Sequence, residues 1–338
     1  MAYVTVMYSI NFTDQRVSTE MAAAIAITYD LTADQFYILD LLCNCVFSYC
    51  LSLLGVVGNI ISLVVLRSSG SHNTTNIMLL SLSFSDLGYS LLMFLTRLKC
   101  VLAKFDVPLS KTFQAMTSVF LSSLASTLLG VSILTVTVVS IERLVAVSSP
   151  LHVSQIFSPK STRKILIGIY VLSFAQMTPW FYRTTFIWAF DVAYNATVAM
   201  ETYTQFYRDN YFIISTYGWG YLNTLMSIVT LIVISFSSLL IVVKLRSRFV
   251  KTTKSSEQEL RVFKMLLTVC VVTAVVWVPT AVLDMYSFYG AAPPRVSALM
   301  TSIKHVLYQF GAGVNFIILV KTSSKFAAAF KSLFKCRR

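Results

Sequence analysis

The sequence predicts an all-α membrane protein: a bundle of seven transmembrane helices followed by a short amphipathic eighth helix. Two observations carry this expectation. Of the 338 residues, 56% are hydrophobic and 12% charged, and mean hydropathy is +0.73. A soluble domain carries about 25% charged residues, so this chain could not cover itself with a wetted surface. The second observation is spacing. A hydrocarbon core about 30 Å thick needs roughly 20 apolar residues per helical span, and seven such runs are centred near Val57, Phe84, Val131, Tyr170, Ile232, Val275 and Phe310. They use most of the length, which leaves no room for a separate domain of ordinary size and excludes a large catalytic ectodomain. The expected organisation is an extracellular segment over 1–40, the bundle over 41–322 and an amphipathic cytoplasmic tail over 323–338.

Charge sets the orientation. The net charge of +13 does not point to nucleic acid, because the basic residues are spread along the chain rather than gathered on one compact basic fold. With the N-terminus outside, the inner segments hold Arg67, then Arg143, Lys160, Arg163 and Lys164, then seven basic residues from Lys244 to Lys264 and six from Lys321 to Arg338, 18 of the 27. Cytoplasmic segments carry such an excess, so the expected protein is multi-pass, N-out and C-in, at the plasma membrane. One stretch runs against the rule: Arg97, Lys99, Lys104 and Lys111 fall in the first outer loop, offset only in part by Asp106. In this orientation the sequons at Asn11 and Asn195 face outward as candidate glycosylation sites, and the one at Asn73 faces inward and stays bare. The first 40 residues lack the basic start and apolar stretch of a cleaved signal peptide, so the first helix is expected to serve as its own signal.

The six cysteines, Cys43, Cys45, Cys50, Cys100, Cys270 and Cys336, are not expected to form a disulfide framework, because most fall within or against spans. Zinc spacing is absent, and no cofactor is expected. Cys336, between Lys335 and Arg337, is either a palmitoylation site or a free cytosolic thiol.

Polar groups inside a bilayer are costly, so each is a candidate for function. In chain order they are Asn59 after Gly58 in the first span, Asp86 in the second within Leu82-Ser-Phe-Ser-Asp86, and Glu142-Arg143 at the inner end of the third. Pro150-Leu151 follow in the inner loop. The sixth span holds Trp277-Val-Pro279 and, near its outer end, Asp284; the seventh holds Lys304, His305 and Asn315. After it, Phe326, Phe330, Leu333 and Phe334 recur at helical spacing between lysines. That stripe suits a short helix lying on the inner leaflet against anionic lipid, with a continuation of the seventh helix as the alternative.

These residues, one or two per helix and in order, resemble the rhodopsin-like G-protein-coupled receptors across nearly the whole chain. Gly58-Asn59, Asp86, Glu142-Arg143-Leu144, Pro150-Leu151, Trp277-Val-Pro279 and Asn315 match the motifs of that family. Among its branches, the second outer loop and Ser323-Ser-Lys-Phe326 look like molluscan chemosensory receptors and related peptide receptors. The resemblance implies a receptor for an extracellular chemical ligand that activates a heterotrimeric G protein, expected to be chemosensory, with a neuropeptide receptor as the alternative. It also implies a resting lock between Arg143 and Glu259, whose release would let helix six swing away and open a G-protein cleft. Glu259 lies 20 residues before Pro279, about 30 Å along a helix, which suits that partner; pairing with Lys264 or Arg261 is the alternative. Pro279 removes a backbone hydrogen bond, so a movement near Trp277 can be magnified at the inner end. A sodium site is implied at Asp86, Ser132 and Asn315, although two positions that usually complete it fall on Gly311 and Ala312.

The departures are equally specific. The family's disulfide from helix three to the second outer loop is absent, because the matching position is Ser118 and no Cys occurs between Phe181 and Gly220. Helix seven lacks the Pro and Tyr of its motif, helix four its Trp and helix five its Pro. Family logic places the ligand among the outer halves of helices three, five, six and seven. The amine-binding Asp position holds Ala125 and the retinal Lys position holds Gln309, so neither ligand class has its anchor. Ser126, Tyr221, Asn223, Thr280, Asp284, Lys304, His305 and Tyr308 remain, a mixed-charge aromatic mouth suited to a peptide or small zwitterion. A structural Asp284–Lys304 pair and a packing role for His305 stand as alternatives. A transporter or channel would need broken helices and a midplane site, and an intramembrane hydrolase a clustered nucleophile and base. Neither pattern stands out; a membrane transporter or channel is kept as the alternative of a different class, and the protein is not expected to be an enzyme.

Overall fold

The computed structural model describes residues 31–68, 73–249, 257–289, 293–322 and 324–334. Asn11 and Cys336 lie outside them. Seven long helices run through these residues: α1 (Ala33–Ser68), α2 (Thr74–Leu102), α3 (Val107–Ser148), α4 (Pro159–Phe181), α5 (Met226–Phe249), α6 (Glu257–Tyr289) and α7 (Pro294–Thr322), followed by α8 (Ser324–Phe334). By length and composition α1, α2, α3, α5 and α7 are apolar enough to cross a membrane, and α6 contributes the apolar stretch Val271–Tyr286. α4 is more polar, with Lys160, Arg163 and Lys164 near its start.

Local chemistry sets the helix starts. Thr32 and Gln35 close a reciprocal capping box before α1. Asp106 accepts the Leu109 N–H at 2.9 Å before α3, and Ser158 caps α4 ahead of Pro159. Two stretches are π-helical, Leu41–Phe47 within α1 and Thr216–Leu225 leading into α5.

The helices close a ring in which α1 packs on α2 and α7, α6 on α5 and α7, and α3 touches α2, α4, α5 and α6. Its polarity is inverted relative to a soluble protein. Val57, Ile60 and Val64 of α1, Ile232 and Phe236 of α5, and Val275 and Val282 of α6 face outward, while Ser48, Ser52, Asn59, Ser62, Ser85, Thr127 and Thr135 are buried. Inside the ring the small hydroxyls fold back onto their own helix, as Ser52 does on Ser48 O at 2.7 Å and Thr127 on Ser123 O at 2.8 Å. Helices can therefore approach closely without stranding polar atoms in hydrocarbon. Gly55 marks one such approach, since a Cβ there would come within 2.3 Å of the Ser90 hydroxyl.

The expectation of no disulfide framework requires correction: Cys45 and Cys100 are bonded. α1 already starts at Ala33, so Cys45 stands level with the outer end of α2. An apolar neighbourhood does not remove a thiol from an oxidising compartment if it lies at the outer edge. Cys43 and Cys50 are free.

The second outer loop is a β-hairpin, which the sequence analysis did not anticipate. Strand β1 (Thr184–Asp191) pairs antiparallel with β2 (Ala196–Tyr203), from Thr184 opposite Tyr203 to Asp191 opposite Ala196. Its turn places Asn195 at φ 49°, in the left-handed region that Asn tolerates. Three polar ties bind the hairpin to the outer end of α3. Lys111 Nζ meets Asp191 Oδ2 at 2.6 Å, Thr112 Oγ1 accepts the Ala199 N–H at 3.2 Å, and Ser118 Oγ donates to Glu201 Oε2 at 2.6 Å. The Lys111 hydrogen bond also holds the Asp191 carboxyl below the usual carboxylate range. At the opposite end, α8 turns Phe326 and Phe330 onto Phe316 of α7, with ring centroids 6.3 and 5.7 Å away. It is a separate element packed on α7 and α1.

Candidate functional site

A cavity of about 270 Å³ opens within the bundle, lined by Ser126 of α3, Trp180 and Arg183 at the end of α4, Leu222 and Met226 at the start of α5, Trp277 and Asp284 of α6, and Lys304, His305 and Tyr308 of α7. The rings of Trp277 and Tyr308 meet at 4.9 Å and form its floor. Arg183 stacks over Trp180 at 4.4 Å. Gly218 is required beside it, because a Cβ would fall 2.0 Å from the Trp180 ring. Lys304 Nζ and Asp284 Oδ1 are 2.6 Å apart, with the residues only 6% and 1% exposed. This pair bridges α6 and α7, and truncating either partner would strand a buried charge.

At mid-bundle, Asp86 accepts from Ser132 Oγ at 2.6 Å on Oδ1 and from Asn315 Nδ2 at 2.8 Å on Oδ2. The carboxylate thus joins α2, α3 and α7. Asn59 adds α1, donating to Gly55 O at 2.9 Å and to Ala312 O of α7 at 3.1 Å. A cleft of about 30 Å³ adjoins Asp86. The sodium expectation fits poorly here: both carboxylate oxygens already accept hydrogen bonds, and Gly311 and Ala312 bring no side-chain oxygen to a wall where a hard cation needs several.

At the inner end, Arg143 contacts Glu142 Oε2 through Nε at 2.9 Å and donates through Nη2 to Thr75 Oγ1 of α2. Among the described residues these are its partners. Glu259 lies in the first turn of α6, and its side chain, like those of Pro150, Leu151 and Asn223, lies outside the described set. Pro150 opens a short inner helix, Pro150–Ile156, and the turn after it is tied to α2 by Thr74 Oγ1 donating to Phe157 O at 3.0 Å. Pro279 lies within α6 two residues beyond Trp277 of the cavity floor, and Thr280 Oγ1 donates to Trp277 O at 2.9 Å.

Residues 58–318 match the family described as 7 transmembrane receptor (rhodopsin family). The chain belongs to this family. As a rhodopsin-family receptor it is a multi-pass plasma-membrane protein that signals through G proteins, and it is not an enzyme. Its relatives include galanin receptor type 1 of Rattus norvegicus, 27% identical over 300 residues, covering 84% of this chain and 80% of the relative. Galanin receptor 2a of Danio rerio is 23% identical, covering 84% and 76%. The Gq-coupled rhodopsin of Mizuhopecten yessoensis is 23% identical, covering 82% of this chain and 56% of the relative. These relatives support the peptide-receptor alternative better than the chemosensory expectation.

Within this receptor, the outer cavity gathers Ser126, Asp284, Lys304, His305 and Tyr308 of the residues singled out from the sequence. Two fall elsewhere. Tyr221 stacks on Tyr217 at 5.3 Å and its hydroxyl accepts from Gln176 at 3.4 Å, at the boundary of α4 and α5. It lies on the π-helical stretch, where i→i+5 bonding rotates side chains away from the faces that a 3.6-residue period assigns. Thr280 is fully buried; its hydroxyl donates to Trp277 O of its own helix and also meets the Tyr308 hydroxyl, so it supports the cavity wall without lining it. Trp180, Arg183, Arg97 and Lys99 also line cavities without having stood out in the sequence as ligand residues. For the last two a signal existed: the cluster of outer positive charges that broke the orientation rule.

Proposed function

We propose that this receptor binds a peptide at its outer face and relays binding to a heterotrimeric G protein, with its N-terminus extracellular. The observation that supports this most is the open, mixed-charge cavity among α3, α5, α6 and α7, in a chain related to galanin receptors. Such a cavity offers an acid, two bases and aromatic faces to a ligand with charged ends and a hydrophobic body. Ser126, His305 and Tyr308 contact ligand, and the Asp284–Lys304 pair opens to exchange its internal bond for bonds to ligand. Contact at Trp277 is carried past Pro279 to the inner end of α6. There Glu142, Arg143, Pro150 and Leu151 meet the G protein, Glu259 holds the resting state through Arg143, and Asn315 reports on the Asp86 network. N-out orientation makes Asn11 and Asn195 glycosylation sites and Cys336 a palmitoylation site on the inner leaflet, where lipid surrounds the outward apolar belt.

Two measurements test this reading. Membranes containing the chain, challenged with galanin and a neuropeptide library, are expected to show peptide-dependent nucleotide exchange on at least one class of G protein. Without ligand, Glu259→Ala is expected to raise basal exchange several-fold and Arg143→Ala to abolish it at matched surface expression. Exchange at the empty-membrane level for all three proteins, with no response to any peptide, overturns the reading.

A further inference from the structure

The cavity has a second lobe of about 200 Å³ between α2, α3 and α7, with Tyr89, Arg97, Lys99 and His305 on its wall. It shares Ser122, Ser126, Leu129, His305 and Tyr308 with the first lobe. Three polar atoms on this wall, the Tyr89 hydroxyl, Arg97 Nε and His305 Nδ1, are buried with no hydrogen-bond partner among the described residues. Arg97 is 7% exposed and its guanidinium cannot shed its proton. A charge in that position is costly unless an acceptor meets it.

Two acids lie near: Asp40, whose charge reaches Arg97 and Lys99 without bonding either, and Asp284. Asp40 Oδ1 accepts from Asn44 at 2.6 Å and Ser302 at 2.9 Å, and Asp284 faces Lys304. Neither forms an ion pair with Arg97 among the described residues. Lys99 adds a second positive charge to the same wall. The wall also carries neutral oxygens, those of Gln114, Thr117 and Ser118 among them, but no carboxylate bonds Arg97 among the described residues, so donors and positive charge predominate beside it.

We propose that this lobe is an anion subsite that takes a carboxylate, or another small oxyanion, of the ligand. Arg97 Nε and the Tyr89 hydroxyl donate to its oxygens, His305 donates through Nδ1 in the tautomer that protonates it, and Lys99 supplies the second positive charge. Charge-assisted bonds of this kind are the strong ones. The proposal deepens the receptor reading by naming a chemical group on its ligand. It also accounts for the outer basic cluster: Arg97 and Lys99 line the lobe, Lys111 ties the hairpin, and Lys104 is exposed.

The test reads binding without a G protein, so its failure is separable from a failure of signalling. Thermal unfolding of the purified full chain is followed with sodium succinate or sodium benzoate against sodium chloride at matched ionic strength. A second arm compares a random peptide pool synthesised as free acids with the same pool as carboxamides. The acid in at least one arm is expected to raise the midpoint saturably by about 2 °C. Success of the small acids points to a free organic acid, and a free-acid pool that exceeds its amide twin points to a peptide terminus. Arg97→Gln is expected to weaken the response about tenfold or more, Tyr89→Phe about fivefold, and Lys104→Gln to leave it unchanged. Because Tyr89→Phe removes only a hydroxyl, it keeps the test sound if the Arg97 variant does not fold. No shift beyond chloride in either arm, or parental shifts in both Arg97→Gln and Tyr89→Phe, overturns the proposal.

Discussion

Two buried polar clusters sit one above the other in this bundle, and they are finished to different degrees. Around Asp86 both carboxylate oxygens accept a hydrogen bond, from Ser132 and from Asn315. Around Arg97 a guanidinium nitrogen, a phenol and an imidazole nitrogen have no partner among the described residues. The first cluster joins three helices and is complete within the chain. The second lines a cavity and is complete only with something added. Burial alone does not separate structure from recognition, nor does a missing partner alone, since Ser62 Oγ and Gln309 Nε2 lack one among the described residues and line neither cavity. The Arg97 group stands out because its unpartnered atoms share a cavity wall with positive charge.

That contrast sets the order of expected effects. Asp86→Ala strands two buried donors and is expected to cost about 2–4 kcal/mol, read as a lower unfolding midpoint in detergent; a parental midpoint would break the claim that this cluster is structural. Separating α1 from α2 with Cys100→Ser is expected to cost about 2 kcal/mol, because the disulfide closes a loop with a sequence separation of 55 residues. Arg97→Met should act with the opposite sign, stabilising the ligand-free protein by about 1 kcal/mol because it removes an uncompensated buried charge. Destabilisation there would show that Arg97 is paired in the free protein. Ser118→Ala removes one exposed tie of the hairpin and is expected to cost about 0.5 kcal/mol overall, visible mainly as faster amide exchange in β2. The smallest effect is that of acid. The folded Asp191 carboxyl titrates below its ordinary value because Lys111 bonds it, so the tie is fully present above the unfolded carboxylate range. It is lost as pH falls through the lowered folded value. Asp191→Asn should remove that acid-dependent loosening of the hairpin, as followed by amide exchange.

Much of the bundle was legible because hydrocarbon demands long apolar runs. All seven run centres, from Val57 to Phe310, fall within long helices. Periodicity could not show Cys45 meeting Cys100, because the contact depends on how α1 and α2 lie side by side. It could not place Tyr221 either, since a π-helical stretch shifts the face that each residue presents. The hairpin had a weak signature in the β-branched and aromatic run of Thr184 to Phe190, but a loop between spans gave no reason to look for strands. Arg97 was visible as an anomaly of charge and became interpretable only once its burial and its missing acceptor were seen.

The hairpin is fastened to α3 by an ion pair and two hydrogen bonds, with Ser118 where a covalent anchor is usual in the family. Such ties break and re-form on the timescale of local fluctuation and are weak enough to be tuned one at a time. If the proposed ligand enters past the hairpin, its residence follows how often the hairpin lifts. Substitutions at Lys111, Thr112 or Ser118 should therefore alter residence time even where the pocket below, and the contacts it offers, are left intact.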